Sequence, residues 1–326
     1  MTGALSWTGE LGGTVSTQLP VLTDLPPRAA GPLGAPLSPV TVQPVLADGS
    51  KPKSSPRRPI PEDPKKLEKK IAYAVTKAMH HYGMLEAGDK VMVCMSGGKD
   101  SYALLHFMQR LQRHAPFEFE LLAVHLDQGH PGFPLDTLRG YLETCGTPYE
   151  IIHEHTYEIV LDKLRPGQTT CAMCSRLRRG ILYDRAKKLG CTKVALGHHR
   201  DDILATFMLN FFFCGQLKAM PPLLRADDGD NVLIRPLAYV PEDWIVAFSQ
   251  HKKWPLIPCS LCSKQPDLKR AQMEGLLDQI DAVYPGALES ALHALKSVHP
   301  RFLMDNELYN FETGSGPVDR DEDAFA

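Results

Sequence analysis

The stretch Val91-Met92-Val93-Cys94-Met95-Ser96-Gly97-Gly98-Lys99-Asp100-Ser101 constrains the fold more than any other part of the chain. Its first half is a short apolar run with β-branched residues, which reads as a buried parallel strand, and the polar, glycine-containing turn after it opens a helix. A strand that passes through glycines into a helix is a way of holding phosphate. Glycines let the backbone approach closely, amide N–H groups converge on the anion, and the helix N-terminus adds positive potential. The spacing is not that of a Walker loop, because Lys99 alone separates Gly98 from Asp100 and no second glycine stands at the Walker distance.

Strand-like and helix-like segments alternate around this stretch. Leu67, Ile71, Val75 and Met79 recur every fourth residue, which predicts an amphipathic helix over 65–82 closed by Gly83. Further helices are expected over 101–114, 135–145, 175–189 and 201–213, with strands over 119–126, 149–153 and 193–197. Such alternation predicts an α/β fold, a parallel sheet flanked by helices on both faces. Beyond Cys214 it weakens to one candidate strand over 232–239 and helices over 241–251, 267–280 and 287–298, read as a smaller, mostly helical C-terminal lobe. The domain organisation expected is a disordered Pro-rich extension over 1–60, the α/β domain over 61–215, the lobe over 216–304 and an acidic disordered tail over 305–326.

Charge narrows the partners. With 36 basic against 38 acidic residues the net charge is −2, which excludes an all-over polyanion binder and confines any nucleic-acid contact to local patches. One candidate patch is the basic run that includes Lys51, Lys53, Arg57, Arg58, Lys65, Lys66, Lys69 and Lys70, although a solvated helix face explains the later lysines as well. No apolar run reaches membrane-spanning length and no leader pattern opens the chain, so a soluble cytoplasmic protein is expected. Eight cysteines are too few for a disulfide scaffold in a chain this long, and close pairs in a reducing compartment are more often metal or redox sites.

Two further constellations carry chemistry. Ligands of doubly wound sheets sit at the carboxyl ends of the strands, where the phosphate loop, His125 with Asp127, and Gly197-His198-His199-Arg200-Asp201-Asp202 are all expected. Clustered imidazoles and carboxylates suit phosphate and magnesium, while Asp201 or Asp202 could equally cap the following helix. Cys171-Ala172-Met173-Cys174 and the distant Cys259-Ser260-Leu261-Cys262 could form a Cys₄ zinc site or supply three thiolates to an iron–sulfur cluster. Spacing alone favours zinc, the commoner structural metal. Arg176, Arg178 and Arg179 follow the first pair, either to hold an RNA backbone or to balance thiolate charge. Cys94, Cys145, Cys191 and Cys214 read as inert small hydrophobes.

Ser96-Gly97-Gly98-Lys99-Asp100-Ser101 resembles the pyrophosphate loop (PP-loop) of the N-type ATP pyrophosphatases, which cut ATP between its α and β phosphates. From about Lys65 to about Pro300 the ordered blocks resemble the tRNA 2-thiocytidine synthetase family, which thiolates cytidine 32 in the anticodon loop. They include Leu126-Asp127-Gln128 with Pro131-Gly132-Phe133, the 169–180 segment around Cys171 and Cys174, Ala195–Asp202, Met220-Pro221-Pro222, Arg235-Pro236-Leu237-Ala238-Tyr239 and Ile257–Cys262. The resemblance implies a [4Fe–4S] cluster on Cys171, Cys174 and Cys259, with Cys262 as the fallback third ligand, in place of zinc. It implies ATP and Mg²⁺ held by Ser96, Gly97, Gly98, Lys99, Asp100, Ser101, Asp127, Gly197, His198, Asp201 and Asp202, with Lys99, Asp100, Cys171 and Cys174 in catalytic roles. A tRNA anticodon loop, a sulfur donor such as a cysteine desulfurase and a homodimer are the partners implied. Departures are His125, where relatives often carry asparagine, and Ser263-Lys264 in place of a glycine–serine pair. The rival reading is a PP-loop tRNA-modifying ligase with a structural Cys₄ zinc site.

Overall fold

In a computed structural model of the chain, the residues described are 60–163, 170–226, 229, 231–257 and 268–315. The extension over 1–59, the pair Cys259 and Cys262, and the end of the acidic tail lie outside them. Helix α1 (Pro64–His81) starts where Asp63 accepts from Lys65 N at 2.9 Å with Pro64 at the first helical position. Its predicted stripe, Leu67, Ile71, Val75 and Met79, is buried.

Six strands form one sheet in the order β3-β2-β1-β4-β6-β5. They are β1 (Lys90–Met95), β2 (Glu120–Asp127), β3 (Tyr149–His153), β4 (Lys193–Ala195), β5 (Leu223–Arg225) and β6 (Val232–Ile234). All pairings are parallel except that of the edge strand β5 with β6. After β1 the chain moves outward to β2 and β3, then returns to place β4 on the other side of β1. That reversal opens a crevice at the carboxyl ends of β1 and β4. Helices α2 (Lys99–His114), α3 (Leu135–Thr144), α4 (Thr156–Lys163) and α5 (Thr170–Lys188) connect these strands. Then come α6 (Arg200–Leu209), α7 (Glu242–Lys252), α8 (Leu268–Val283) and α9 (Ala287–Ala294).

Alternation along β1 decides which helices cover which face. Val91, Val93 and Met95 join the core formed with α1, α2, α3 and α7, while Met92 faces Leu182 and Ala186 of α5. Leu204 and Ala205 of α6 pack with Leu277 of α8 and Leu288 of α9 in a third cluster. No helix among the described residues is long and apolar enough to cross a membrane.

The structure departs from the sequence reading in several elements. The strand expected over 232–239 stops at Ile234, because Arg235 to Val240 turn back on themselves through Ala238 N to Arg235 O and Val240 N to Leu237 O. The helix expected over 201–213 ends at Leu209, and Asn210–Cys214 continue as a π-turn that leaves Phe211, Phe212 and Phe213 exposed. Helix α5 begins five residues earlier than expected and takes in both Cys171 and Cys174. At the tail, residues 305–315 form turns in which Asp305 and Asn310 side chains accept from nearby backbone N–H groups.

Candidate active site

The phosphate loop folds as its glycines require. Gly97 lies at φ +82, and a Cβ there would stand 2.7 Å from Ile257 Cδ1. Ile257 N donates to Gly97 O at 2.9 Å, so the segment leading toward Cys259 is tied to the loop itself. Ser96 Oγ accepts from Gly98 N at 3.3 Å and Ser101 Oγ donates to Gly98 O at 2.8 Å. Gly97→Ala therefore combines a left-handed β-carbon with a clash, and is expected to cost roughly 1–2 kcal/mol from the backbone alone. A thermal melt should show a drop of a few degrees.

The second constellation meets the loop backbone to backbone. A Cβ on Gly197 would lie 3.2 Å from the carbonyl carbon and oxygen of Asp100, so a side chain there would need the Asp100 backbone to give by a few tenths of an ångström. Lys99 Nζ sits between Asp100 Oδ2 at 3.1 Å and Glu242 Oε1 at 2.8 Å. Burial opposes its charge, but Asp100 and Glu242 outweigh burial and raise its pKa. Burial pushes the Asp100 carboxyl up, partly offset by Lys99 and His199. Its Oδ1 is buried without a hydrogen-bond partner, with His199 Nε2 3.7 Å away.

His199 has Asp202 Oδ2 at 3.3 Å, Asp100 Oδ1 and Asp201 Oδ2 at 3.7 Å, and Glu242 Oε1 at 4.0 Å. Burial works against its charged form, yet these four carboxylates raise its pKa. As an imidazolium it donates from both nitrogens, so the 3.4 Å approach of Asp202 N to Nδ1 is then a contact rather than a hydrogen bond. The reciprocal bond, His199 N to Asp202 Oδ2 at 3.1 Å, caps α6 in either state. His198 is the opposite case. Burial, then Arg235, drive its pKa down to about 4, and its neutral Nδ1 accepts from Arg235 Nε at 3.3 Å.

Asp201 is fully engaged by the chain. Its oxygens accept from Arg200 at 2.8 Å and from Glu242 N at 2.8 Å, and Asp202 Oδ1 is taken by Arg270. Burial raises the Asp201 carboxyl, but His199 and Arg200 outweigh it and hold its pKa far below the usual range. Asp201→Asn takes one charged hydrogen bond from the buried Arg200, which Glu289 still holds at 3.1 Å, and should cost roughly 2 kcal/mol near neutral pH. The Asp201 contribution is complete above the unfolded aspartate value of about 3.9 and is lost as pH falls through the lower folded value. Urea melts should accordingly show the gap between wild type and Asp201→Asn closing below about pH 4.

Cys174 is held near the same edge. Met95 of β1 is in register with His125 of β2, and His125 Nδ1 donates to Met95 O at 2.8 Å. Three residues beyond His125, Gln128 Nε2 donates to Cys174 Sγ at 3.1 Å and to Thr156 Oγ1 at 3.0 Å. Arg178 Nε donates to Gln128 Oε1 at 3.2 Å, with its NH2 3.8 Å from Cys174 Sγ. Thus Gln128, which holds Cys174 of α5, and the Gly97 loop follow the carboxyl ends of the adjacent strands β2 and β1. Cys171 stands one turn earlier on α5. Asp127, also on this edge, accepts from Gly129 N at 3.0 Å and pairs with His153 Nδ1 at 3.2 Å. Elsewhere, burial lifts the Cys94 thiol to about 12, in keeping with an inert residue, whereas Cys214 is exposed.

Residues 66–257 match the PP-loop domain family. A tRNA-cytidine(32) 2-sulfurtransferase of Neisseria meningitidis is 54% identical over 246 residues, 76% of this chain and 77% of that protein. The enzyme of the same name from Tolumonas auensis is 48% identical over 263 residues, 80% and 87% of the two chains. This chain belongs to that family. Among solved structures, the U34-tRNA thiolase NcsA from Methanococcus maripaludis with its [4Fe-4S] cluster superposes with a TM-score of 0.59 at 20% identity, covering 80% of this chain and 89% of that one. At that identity the likeness concerns the fold.

Sequence reasoning left Glu242, Gln128, Arg235 and Arg270 without roles, and all four touch site residues. Gln128 and Arg235 stand inside blocks that carry the family resemblance, and Glu242 is an acid directly after Pro241 at a helix start.

Proposed function

We propose that this enzyme thiolates cytidine 32 of tRNA, using ATP to activate C2 of the base and releasing pyrophosphate and AMP. The observation that carries the reading is that the loop after β1, the Gly197–Asp202 turn and Cys174 share one sheet edge. The family relationship supports the substrate.

In this reading the amides of Ser96 to Ser101 cradle the β and γ phosphates at the start of α2. Lys99, held by Glu242 and Asp100, stabilises negative charge as the C2 oxygen of cytidine attacks the α phosphorus and pyrophosphate departs. Asp100 would hold Mg²⁺ through Oδ1, which accepts no hydrogen bond, because that ion takes carboxylate and phosphate oxygens. Adenylation turns the C2 oxygen into part of a good leaving group, and the unpaired anticodon loop leaves the base accessible.

Cys171, Cys174 and Cys259 would hold a [4Fe–4S] cluster, with Cys262 as the alternative third ligand. The donor set around Cys174 suits it, since Gln128 and Arg178 direct N–H groups and positive charge at the sulfur. When bound, the cluster supplies the sulfur that replaces the C2 oxygen. A cysteine desulfurase is the proposed sulfur source, and the working unit is proposed to be a homodimer. Anaerobic purification with iron, sulfide and zinc counts tests the metal assignment: about four irons and four sulfides per chain support it, and stoichiometric zinc without sulfide refutes it.

A further inference from the structure

A groove of about 910 Å³ is walled by the end of α1, by α6, by Met220-Pro221-Pro222 and by the chain from α9 to Leu303. The Met220-Pro221-Pro222 block and Tyr239 line it, and the adenylation chemistry uses none of these side chains. Aromatic rings stand among its mostly aliphatic lining. The Tyr239 hydroxyl is tied to His81 Nδ1 at 2.6 Å and Tyr82 Oη at 3.0 Å, the His81 and Tyr82 rings stack at 4.6 Å, and Phe302 is 72% exposed.

Of two lysines here, Lys296 lines the groove and Lys77 stands outside its lining, close enough for its charge to act on Lys296. Lys296 Nζ lies 4.6 Å above the Tyr239 ring, and burial together with the like charge of Lys77 lowers its pKa. Among the described residues neither lysine has a carboxylate within ion-pair distance, and no aspartate or glutamate lines the groove. The exposed Phe302 ring and the part-exposed Tyr239 ring, with Arg301 4.6 Å over the first and Lys296 over the second, match the two halves of a nucleotide, a π-faced base and an anionic phosphate. Arg235 joins this wall to the catalytic edge, reaching both Pro221 O and His198 Nδ1.

We infer that the groove holds an unpaired nucleotide of the substrate RNA, its base against Tyr239 and Phe302 and its phosphate on Lys77 and Lys296. The inference rests on the tRNA reading above and adds where, beyond the adenylating edge, the RNA is gripped.

Filter binding of unmodified tRNA across a salt series tests it with full-length protein. For Lys77→Gln with Lys296→Gln, the expected result is an affinity loss of about tenfold and a salt slope reduced by about 0.7, from one lost single-strand phosphate contact. For Phe302→Ala, an exposed position that the fold does not need, a loss of about tenfold with the slope unchanged is expected. Lys188→Glu, on the far end of α5, should bind within about twofold of wild type, which shows that net charge alone is not responsible. Wild-type affinity and slope in the groove variants overturn the inference and leave the tRNA reading standing. Conversion of a dimer to a monomer by Phe302→Ala, seen in sedimentation with tRNA affinity kept, also overturns it and names a second copy as occupant. A wild-type chain that binds no tRNA overturns both.

Discussion

Asp100→Asn is expected to lower ATP-dependent pyrophosphate release by about a thousandfold, equivalent to about 4 kcal/mol of transition-state stabilisation. The expectation rests on one oxygen. Asp100 Oδ1 is buried and has no hydrogen-bond partner, while Oδ2 and Glu242 hold Lys99 in place. An amide keeps the shape but removes the charge that would hold Mg²⁺ and weakens the hold on Lys99. The same change should leave the melting temperature unchanged or slightly raised, because burial already pushes the Asp100 pKa upward and an uncharged group costs less to bury there. Loss of activity with preserved stability separates a functional carboxylate from a structural one. If Asp100→Asn released pyrophosphate at the wild-type rate, the residue would drop out of the mechanism.

Cys174→Ala is expected to abolish 2-thiocytidine formation while ATP still binds. The side chain is half-buried and bonded mainly to Gln128 and Arg178, so its loss should cost the fold no more than about 1–1.5 kcal/mol. Iron content should fall in parallel with thiolation. Gln128→Ala is the graded companion: it removes the 3.1 Å donor to the sulfur without removing a ligand, and a partial loss of about 10- to 100-fold is the expected size for such a supporting group. Retained thiolation in Cys174→Ala would exclude it as a ligand.

The parts of this architecture that were legible in the chain were those with short-range causes. Val91 to Met95 is an apolar β-branched run, and it forms the central strand. The four-residue spacing of Leu67, Ile71, Val75 and Met79 marks α1, and all four are buried. Elements with weak local signal escaped. Helix α4 has only eight residues and β5 only three, the latter stabilised by its antiparallel pairing to β6 rather than by its own sequence. The start of α5 was obscured because Cys-Ala-Met-Cys reads as a ligand motif, although nothing in it opposes a helix.

At the site, the residue types were legible and their partners were not. That Asp201 and Asp202 belong with the histidines follows from six consecutive letters. That Asp201 is consumed by Arg200 and Glu242 N, and Asp202 by Arg270, depends on residues 41 and 68 positions away. The same holds for Ile257, whose bond to Gly97 O links the phosphate loop to the chain that leads to the distant cysteine pair. Long-range contacts of this kind arise from the sheet order, which local sequence does not encode.

The central claim is that ATP splitting and sulfur insertion are done on one base by one sheet edge. It is tested most directly by incubating anaerobically purified, iron-loaded enzyme with ATP, Mg²⁺, cysteine, a cysteine desulfurase and unmodified tRNA, then counting products by nucleoside mass spectrometry and a pyrophosphate assay. The account predicts 2-thiocytidine at position 32 and pyrophosphate in equal amounts. Pyrophosphate release with the tRNA left unthiolated, or sulfur found on a different nucleoside, would contradict it.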